Sequence, residues 1–153
     1  MNDSVKRVLK ALNYPVDEAK DTVNVLRAYQ DDMQKFSKFA ESKNYHAPNL
    51  DRWYHPTAMY TATKGSPYRG LVALGAGTIK ELKDIVKYTK ETYNPAYAVW
   101  ESVKDQFRNL GGVGASIFNP NLPAEENNWL KSLQTPTIRA IMPEYREKNG
   151  KVI

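Results

Sequence analysis

The chain has 153 residues, a size typical of one domain with a single hydrophobic core. Its 22 basic and 17 acidic residues give a formal charge of +5, and they are interspersed rather than gathered into the dense basic run of a nucleic-acid-binding arm. The absence of cysteine excludes disulfide scaffolds, thiolate zinc sites and thiol nucleophiles. Ten tyrosines favour an interaction protein, because Tyr buries an apolar ring while its hydroxyl stays hydrogen-bonded.

No stretch approaches the roughly 18 apolar residues that a membrane span needs. The first four residues lead into no apolar segment of the kind that signal peptides contain. We therefore expect the protein in the cytoplasm of a host cell or in a virion assembled there.

The first part of the chain contains two amphipathic helical patterns. Residues 4–13 place apolar side chains at helical spacing, namely Val5, Val8, Leu9 and Leu12. Pro15 begins a second helix that extends to about Glu41, and its acidic first turn complements the positive end of the helix dipole. We expect this helix to bury Val16, Ala19, Val23, Leu26, Met33, Phe36 and Ala40.

Residues 49–64 are predicted to form a third helix with a kink at Pro56, since proline removes one backbone hydrogen bond. Ser66 and Pro67 begin a fourth helix that extends to about Thr92. Its apolar positions are Leu71, Leu74, Ile79, Leu82, Ile85 and Val86. Its first half also contains small residues that allow a neighbouring helix to approach closely: Gly70, Ala73, Gly75, Ala76 and Gly77.

Asn94 and Pro95 mark the clearest helix start in the chain. We expect this helix to stop at Gly111 and Gly112 and to bury a face made of Ala96, Val99, Trp100, Val103, Phe107 and Leu110. Residues 123–133 predict one more short helix. The fold class is therefore all-α, a four-helix bundle (residues 1–133) with a short N-terminal helix and an extended C-terminal tail (residues 134–153).

The C-terminal region is predicted to contact a neighbouring subunit, because its prolines interrupt helical structure while its apolar and aromatic residues need a partner. The alternative is a tail that folds back across its own bundle. The candidate interaction residues are Trp129, Leu130, Ile138, Ile141, Tyr145, Arg139 and Arg146.

A polar constellation links the third and fifth predicted helices. Asp51 precedes His55 by four residues, so carboxylate and imidazole share one helix face; Asp105 and Asn109 have the same spacing. The candidate network is Asp51, Arg52, His55, Glu101, Asp105 and Asn109. It is either a structural network that fixes the register of packed helices or a hydrolytic or metal site. The structural role is favoured, with no metal or cofactor, because the paired His or His–Glu spacing of zinc sites is missing.

The same residues resemble the serum amyloid A family. One family motif is an acidic, basic, aromatic, aromatic, His run followed by spaced Tyr, small, basic and Gly residues, matched by residues 51–55, Tyr60, Ala62, Lys64 and Gly65. The second motif is matched by Glu101, Ser102, Val103, Asp105, Gln106, Asn109 and Gly112. The resemblance covers about residues 49–113, and Pro56 and a longer interval before the second motif depart from it. It implies a compact four-helix bundle with the C-terminal segment laid across it.

These observations favour a non-enzymatic structural protein, a bacteriophage virion component held in a larger assembly by contacts with other protein subunits or with itself. Helical segments with a similar His and a similar Asp-x-x-x-Asn pattern also occur in bacterial and bacteriophage proteins. The first alternative is a basic binding module for anionic ligands such as lipid headgroups or nucleic acid. The second is a small hydrolase or toxin that uses His55 with Asp51 and Asp105.

Overall fold

The computed structural model describes residues 2–11, 15–44, 50–92, 94–120 and 122–152. Within them the secondary structure is helical, with no strand, so the all-α prediction is confirmed. The helices are α1 (Asp3–Ala11), α2 (Val16–Ser42), α3 (Asp51–Thr63), α4 (Pro67–Thr92), α5 (Pro95–Phe118), α6 (Asn128–Leu133) and α7 (Pro136–Asn149). The prediction for Leu12, and those for the side chains of Leu9 and Ile85, lie outside the described residues.

Helix α3 is the centre of the fold and packs against α2, α4, α5 and α6. Nine of its 13 residues are buried, three of them threonine or proline. The hydroxyl of Thr63 donates to the carbonyl of Met59 at 2.7 Å, and Thr57 donates in the same way to Trp53. These bonds to the preceding turn satisfy the hydroxyl groups, so a helix with little apolar periodicity can be enclosed on most sides.

Helices α3 and α5 approach each other closely where Gly112 faces the backbone of Pro56. A β-carbon at Gly112 would overlap the carbonyl oxygen of Pro56. The prediction that α5 stops at Gly111 and Gly112 is therefore wrong, because the helix continues to Phe118. Gly112 allows the two helix backbones to come into contact, whereas Gly111 faces the side chain of Leu133 on α6. Sequence alone does not distinguish these roles from a helix stop.

The small residues of α4 serve close packing in part, as predicted. A β-carbon at Gly70 would lie 2.8 Å from a methyl group of Val113, and one at Gly77 would lie 2.9 Å from the terminal methyl group of Met59. Ala73 is fully buried. Gly75 differs, because a β-carbon there would have no neighbour within 4 Å.

Helix α2 buries a different stripe from the predicted one. Ala19, Phe36 and Ala40 are buried as expected, whereas Val16, Val23, Leu26 and Met33 are only partly buried. Between them the interior positions belong to Thr22, Val25, Tyr29 and Asp32. The difference arises because polar side chains on the buried face find partners there, as when the Tyr29 and Thr61 hydroxyls approach to 3.1 Å.

The C-terminal segment is a helix in the core and not an extended tail. Ile138, Met142 and Tyr145 of α7 belong to the same apolar cluster as Val25 and Phe36 of α2. That cluster includes residues of α2, α3, α4, α5 and α7, so five helices share one core and residues 134–153 do not stand apart from residues 1–133. The prolines are accommodated because Pro136 is the first residue of α7 and Pro143 lies on its exposed side.

Asp32 anchors α7 to α2 and α3. Its carboxylate accepts hydrogen bonds from the Tyr54 hydroxyl at 2.6 Å, the Tyr145 hydroxyl at 2.7 Å and the Arg146 guanidinium at 2.7 and 2.9 Å. The guanidinium carbon of Arg146 also lies 5.6 Å from the centre of the Trp53 ring. These hydrogen bonds and the positive charge of Arg146 replace the hydration that the Asp32 carboxylate loses on burial.

The apolar faces predicted for α4 and α5 are exposed. On α5 they are Val99, Trp100, Val103, Phe107 and Leu110, and on α4 they are Leu71, Ile79, Leu82 and Val86. The buried positions of α5 instead include the small and polar residues Ser102, Asn109 and Gly112, of which Asn109 and Gly112 meet α3. Among the described helices, none combines the length and apolar content needed to cross a membrane.

The contact at Gly112 predicts opposite outcomes for two glycine substitutions. Gly112→Ala should lower the free energy of unfolding, because the new methyl group meets the Pro56 backbone, which cannot rotate away. Gly75→Ala, in open space on α4, should raise it by up to about 1 kcal/mol through helix propensity. Urea unfolding followed by circular dichroism measures both. Equal stability of the two variants would contradict the close approach of α3 and α5.

Asp32→Asn should lower the free energy of unfolding by about 3 kcal/mol, because it leaves the Arg146 guanidinium without its buried counterion. Burial raises the pKa of Asp32, but hydrogen bonds from Arg146, Tyr54 and Tyr145 outweigh it and hold the pKa below its usual value. This part of the stability is therefore present above the ordinary carboxyl pKa and is lost as the pH falls through the lowered one.

The stability difference between the wild type and Asp32→Asn should accordingly shrink on acidification below about pH 4. The control is Asp31→Asn, which changes the neighbouring, exposed carboxylate and should leave stability nearly unchanged. A loss in Asp31→Asn as large as that in Asp32→Asn would show that the anchor has been misassigned.

Candidate functional site

His55 lies at the junction of α3 and α5 and is held by Asn109. Its Nδ1 atom is 2.9 Å from the Asn109 amide oxygen, and since that oxygen only accepts, Nδ1 is the donor. The Asn109 amide nitrogen in turn donates to Gln106 at 3.4 Å. Asn109 is fully buried, so the orientation of the imidazole is fixed by a side chain that has little freedom of its own.

Among the described residues, the other ring nitrogen of His55 faces the carboxylates of Asp51 and Asp105. Nε2 is 3.6 Å from an oxygen of Asp105 and 3.8 Å from an oxygen of Asp51. The second oxygen of Asp105 accepts a 2.6 Å hydrogen bond from Arg108. The imidazole and the Asp105 side chain are largely buried, whereas the Asp51 side chain is 48% exposed, so solvent reaches the cluster from the Asp51 side.

The electrostatic environment of Asp105 is that of a crowded carboxylate. Burial at the helix junction, together with the neighbouring Asp51 carboxylate, raises the pKa of Asp105 above its ordinary value, although His55 and Arg108 act in the opposite direction. The imidazole nitrogen and the two carboxylates also converge, with one ligand atom of each residue within 4.8 Å of the other two. This geometry suits either a structural network or a receptor for a cation.

Four of the six residues predicted for the network come together: Asp51, His55, Asp105 and Asn109. Glu101 instead pairs with Lys104 on its own helix at 2.6 Å. Arg52 is exposed and makes no hydrogen bond or ion pair with the described residues. The arginine that pairs with Asp105 is Arg108. Arg108 was missed, although its position three residues after Asp105 is a recognisable signal for an ion pair on a helix.

The predicted C-terminal interaction residues divide into two groups. Leu130, Ile138 and Tyr145 are buried in the protein's own core, and Ile141 is half-buried against it, so these four do not form a free surface. Trp129 is 42% exposed and its ring stacks on Phe118 with ring centres 5.5 Å apart. Arg139 and Arg146 line a cavity on the protein's own surface.

That cavity has a volume of about 590 Å³ and a basic lining. Five of its side chains are basic and one is acidic: Lys64, Lys131, Arg139, Arg146, Lys151 and Glu125. Its floor carries aromatic and hydroxyl groups, among them Tyr29, Trp53 and Thr57. Positive charge over a partly apolar floor suits an anionic ligand with an apolar portion.

A second surface feature is an open groove of about 420 Å³ along the α4–α5 hairpin. We call it the hairpin groove. Its lining is Thr78, Leu82, Val99, Ser102, Val103, Gln106, Phe107 and Leu110. Phe107 is 71% exposed and Leu82 60% exposed, so large apolar side chains are in contact with solvent.

Comparison of the chain with protein-family models, curated proteins and solved structures finds no match. The resemblance to serum amyloid A therefore remains a prediction from the two sequence motifs. The features that can support a function are the His55 cluster, the basic cavity and the hairpin groove.

His55→Ala should lower the free energy of unfolding by about 1 to 3 kcal/mol, because it removes the partner of the buried Asn109 amide. Glu101→Gln is the control, since a surface pair at this spacing contributes at most about 0.5 kcal/mol. Thermal and urea unfolding measure both variants. If His55→Ala retained full stability, the imidazole would not be part of the structural network.

Proposed function

We propose that the protein is a non-enzymatic interaction subunit, held in a larger assembly through the hairpin groove. The observation that carries the proposal is the exposure of the α5 apolar face, because Val99, Val103 and Phe107 follow helical spacing as a core face would. Isolated exposed apolar residues are normal, but a contiguous set on two adjacent helices is typical of an interaction surface.

The groove suits a helical partner. Its apolar side chains come from both helices of the hairpin, with Thr78, Ser102 and Gln106 as the polar groups among them. An apolar floor with polar groups available for hydrogen bonds is the arrangement of helix-in-groove recognition.

The partner that we favour for the groove is a second copy of this chain. A hairpin that exposes apolar side chains on both helices can pack on a two-fold-related hairpin to form four helices around a shared apolar layer. Phe107, the most exposed of the groove side chains, would then insert between Leu82 and Val99 of the other copy.

The assembly that we favour is a bacteriophage particle. This more specific proposal draws on the sequence alone, through the resemblance of residues 49–113 and the tyrosine-rich composition. We accordingly propose that the protein acts in the virion or in the cytoplasm of the host cell.

Phe107→Lys and Leu82→Lys should each convert an associating protein into a monomer, because a charge in the groove opposes burial of the apolar layer. Sedimentation equilibrium over a concentration series measures the oligomeric state, and thermal unfolding verifies that both variants remain folded. Both side chains are exposed, so stability should hardly change.

Leu71→Lys is the matched control, since Leu71 lies on α4 outside the groove and is also 71% exposed. It should associate like the wild type. A wild-type chain that stays monomeric at its highest soluble concentration, or a Leu71→Lys variant that dissociates like the groove variants, would contradict the proposal.

A second candidate function is anion binding at the basic cavity, supported by its five basic side chains and one acidic side chain. Arg146 is already bound to Asp32 and Lys64 to Asp21, so Lys131 and Arg139 are the side chains to change. Binding of dextran sulfate that is lost in Lys131→Gln and Arg139→Gln but kept in Phe107→Lys would favour this candidate.

A further inference from the structure

We propose that Asp51, His55 and Asp105 form a binding site for a first-row divalent metal ion of the Mn²⁺ or Zn²⁺ type. One ligand atom from each residue lies within 4.8 Å of the other two. The donors are one imidazole nitrogen and two carboxylate oxygens, a set that suits borderline first-row ions better than Ca²⁺. This inference concerns other residues than the hairpin groove and does not depend on it.

The spacing of the donors fits an ion between them. Metal–ligand bonds of about 2.0 to 2.2 Å place neighbouring donor atoms roughly 3.0 to 3.6 Å apart. Nε2 of His55 is 3.6 Å from Asp105 and 3.8 Å from Asp51, so these two distances need to shorten by only a few tenths of an ångström. The oxygens of Asp51 and Asp105 lie within 4.8 Å of each other, and an ion between them would draw the half-exposed Asp51 side chain inward.

The surrounding residues orient the donors as they do in metal sites. Asn109 accepts a hydrogen bond from Nδ1, so Nε2, the atom that faces the carboxylates, is the nitrogen that would bind the ion. Arg108 holds one oxygen of Asp105 and leaves the other directed at Nε2. Hydrogen bonds of this kind to the atoms that do not bind the ion fix ligand orientation and tautomer.

The fold brings the three donors together from two rigid helices. Asp51 and His55 are one turn apart on α3, and Asp105 is on α5, whose register against α3 is set by the contact between Gly112 and Pro56. Three protein ligands leave further coordination positions for water, and the exposed side of Asp51 gives solvent access to them. Such a site can bind an additional ligand atom through the ion.

The test is titration of the full-length, metal-free chain with MnCl₂ and with ZnCl₂, followed by isothermal calorimetry and, for Mn²⁺, by electron paramagnetic resonance. We expect one ion per chain and a rise in melting temperature on saturation. Asp51→Asn, a half-exposed position that should not disturb folding, and Asp105→Asn should each weaken binding at least tenfold.

Two controls match these variants. Glu101→Gln removes a carboxylate from α5 outside the cluster, and His46→Ala removes the other imidazole of the chain; both should bind the ion as the wild type does. The inference is overturned if the wild type binds neither ion, or if Asp51→Asn and Asp105→Asn bind as tightly as the wild type. Loss of binding in His46→Ala alone would also overturn it.

Discussion

The contact between Pro56 of α3 and Gly112 of α5 is the constraint on which the rest of the structure depends. It brings two helix backbones together so closely that only glycine fits on one side. Since the register of α3 against α5 follows from it, so does the meeting of His55 with Asp105 and Asn109. The threonines of α3 make this enclosure possible, because their hydroxyls are satisfied within the helix itself.

Because small and polar residues of α5 make the close contact with α3, the large apolar side chains of the hairpin are left on its outer face. Helix α5 contacts α3 through Asn109 and Gly112, and most of its large apolar side chains are exposed on other sides of the helix. The interior is instead completed by α7, attached through the carboxylate of Asp32 and the guanidinium of Arg146. One side of the molecule is thus closed by the chain's own C-terminal helix, whereas large apolar side chains of the α4–α5 hairpin are exposed to solvent.

Helix positions were largely predictable, because caps and prolines such as Asn94, Pro95 and Pro67 act locally. The apolar periodicity of α5 predicts a buried face, and this prediction is wrong, because periodicity alone does not say which side of a helix its neighbours cover. Asp51, His55, Asp105 and Asn109 could be grouped because i,i+4 spacing marks a helix face. The hydrogen bonds around Asp32 could not be predicted, because Tyr54 and Tyr145 lie 22 and 113 residues away from Asp32 in sequence.

Native-state hydrogen exchange measured by mass spectrometry tests the central claim, that α3 is enclosed by one cooperative unit which includes α7. The amides of α3 should exchange only through global unfolding, and those of α7 should exchange with nearly the same free energy of opening. The α1 amides, on a helix with exposed Val5 and Val8, should exchange sooner. An α7 that exchanges as fast as α1 while α3 stays protected would contradict the account, because it would show that the C-terminal helix is not part of the core.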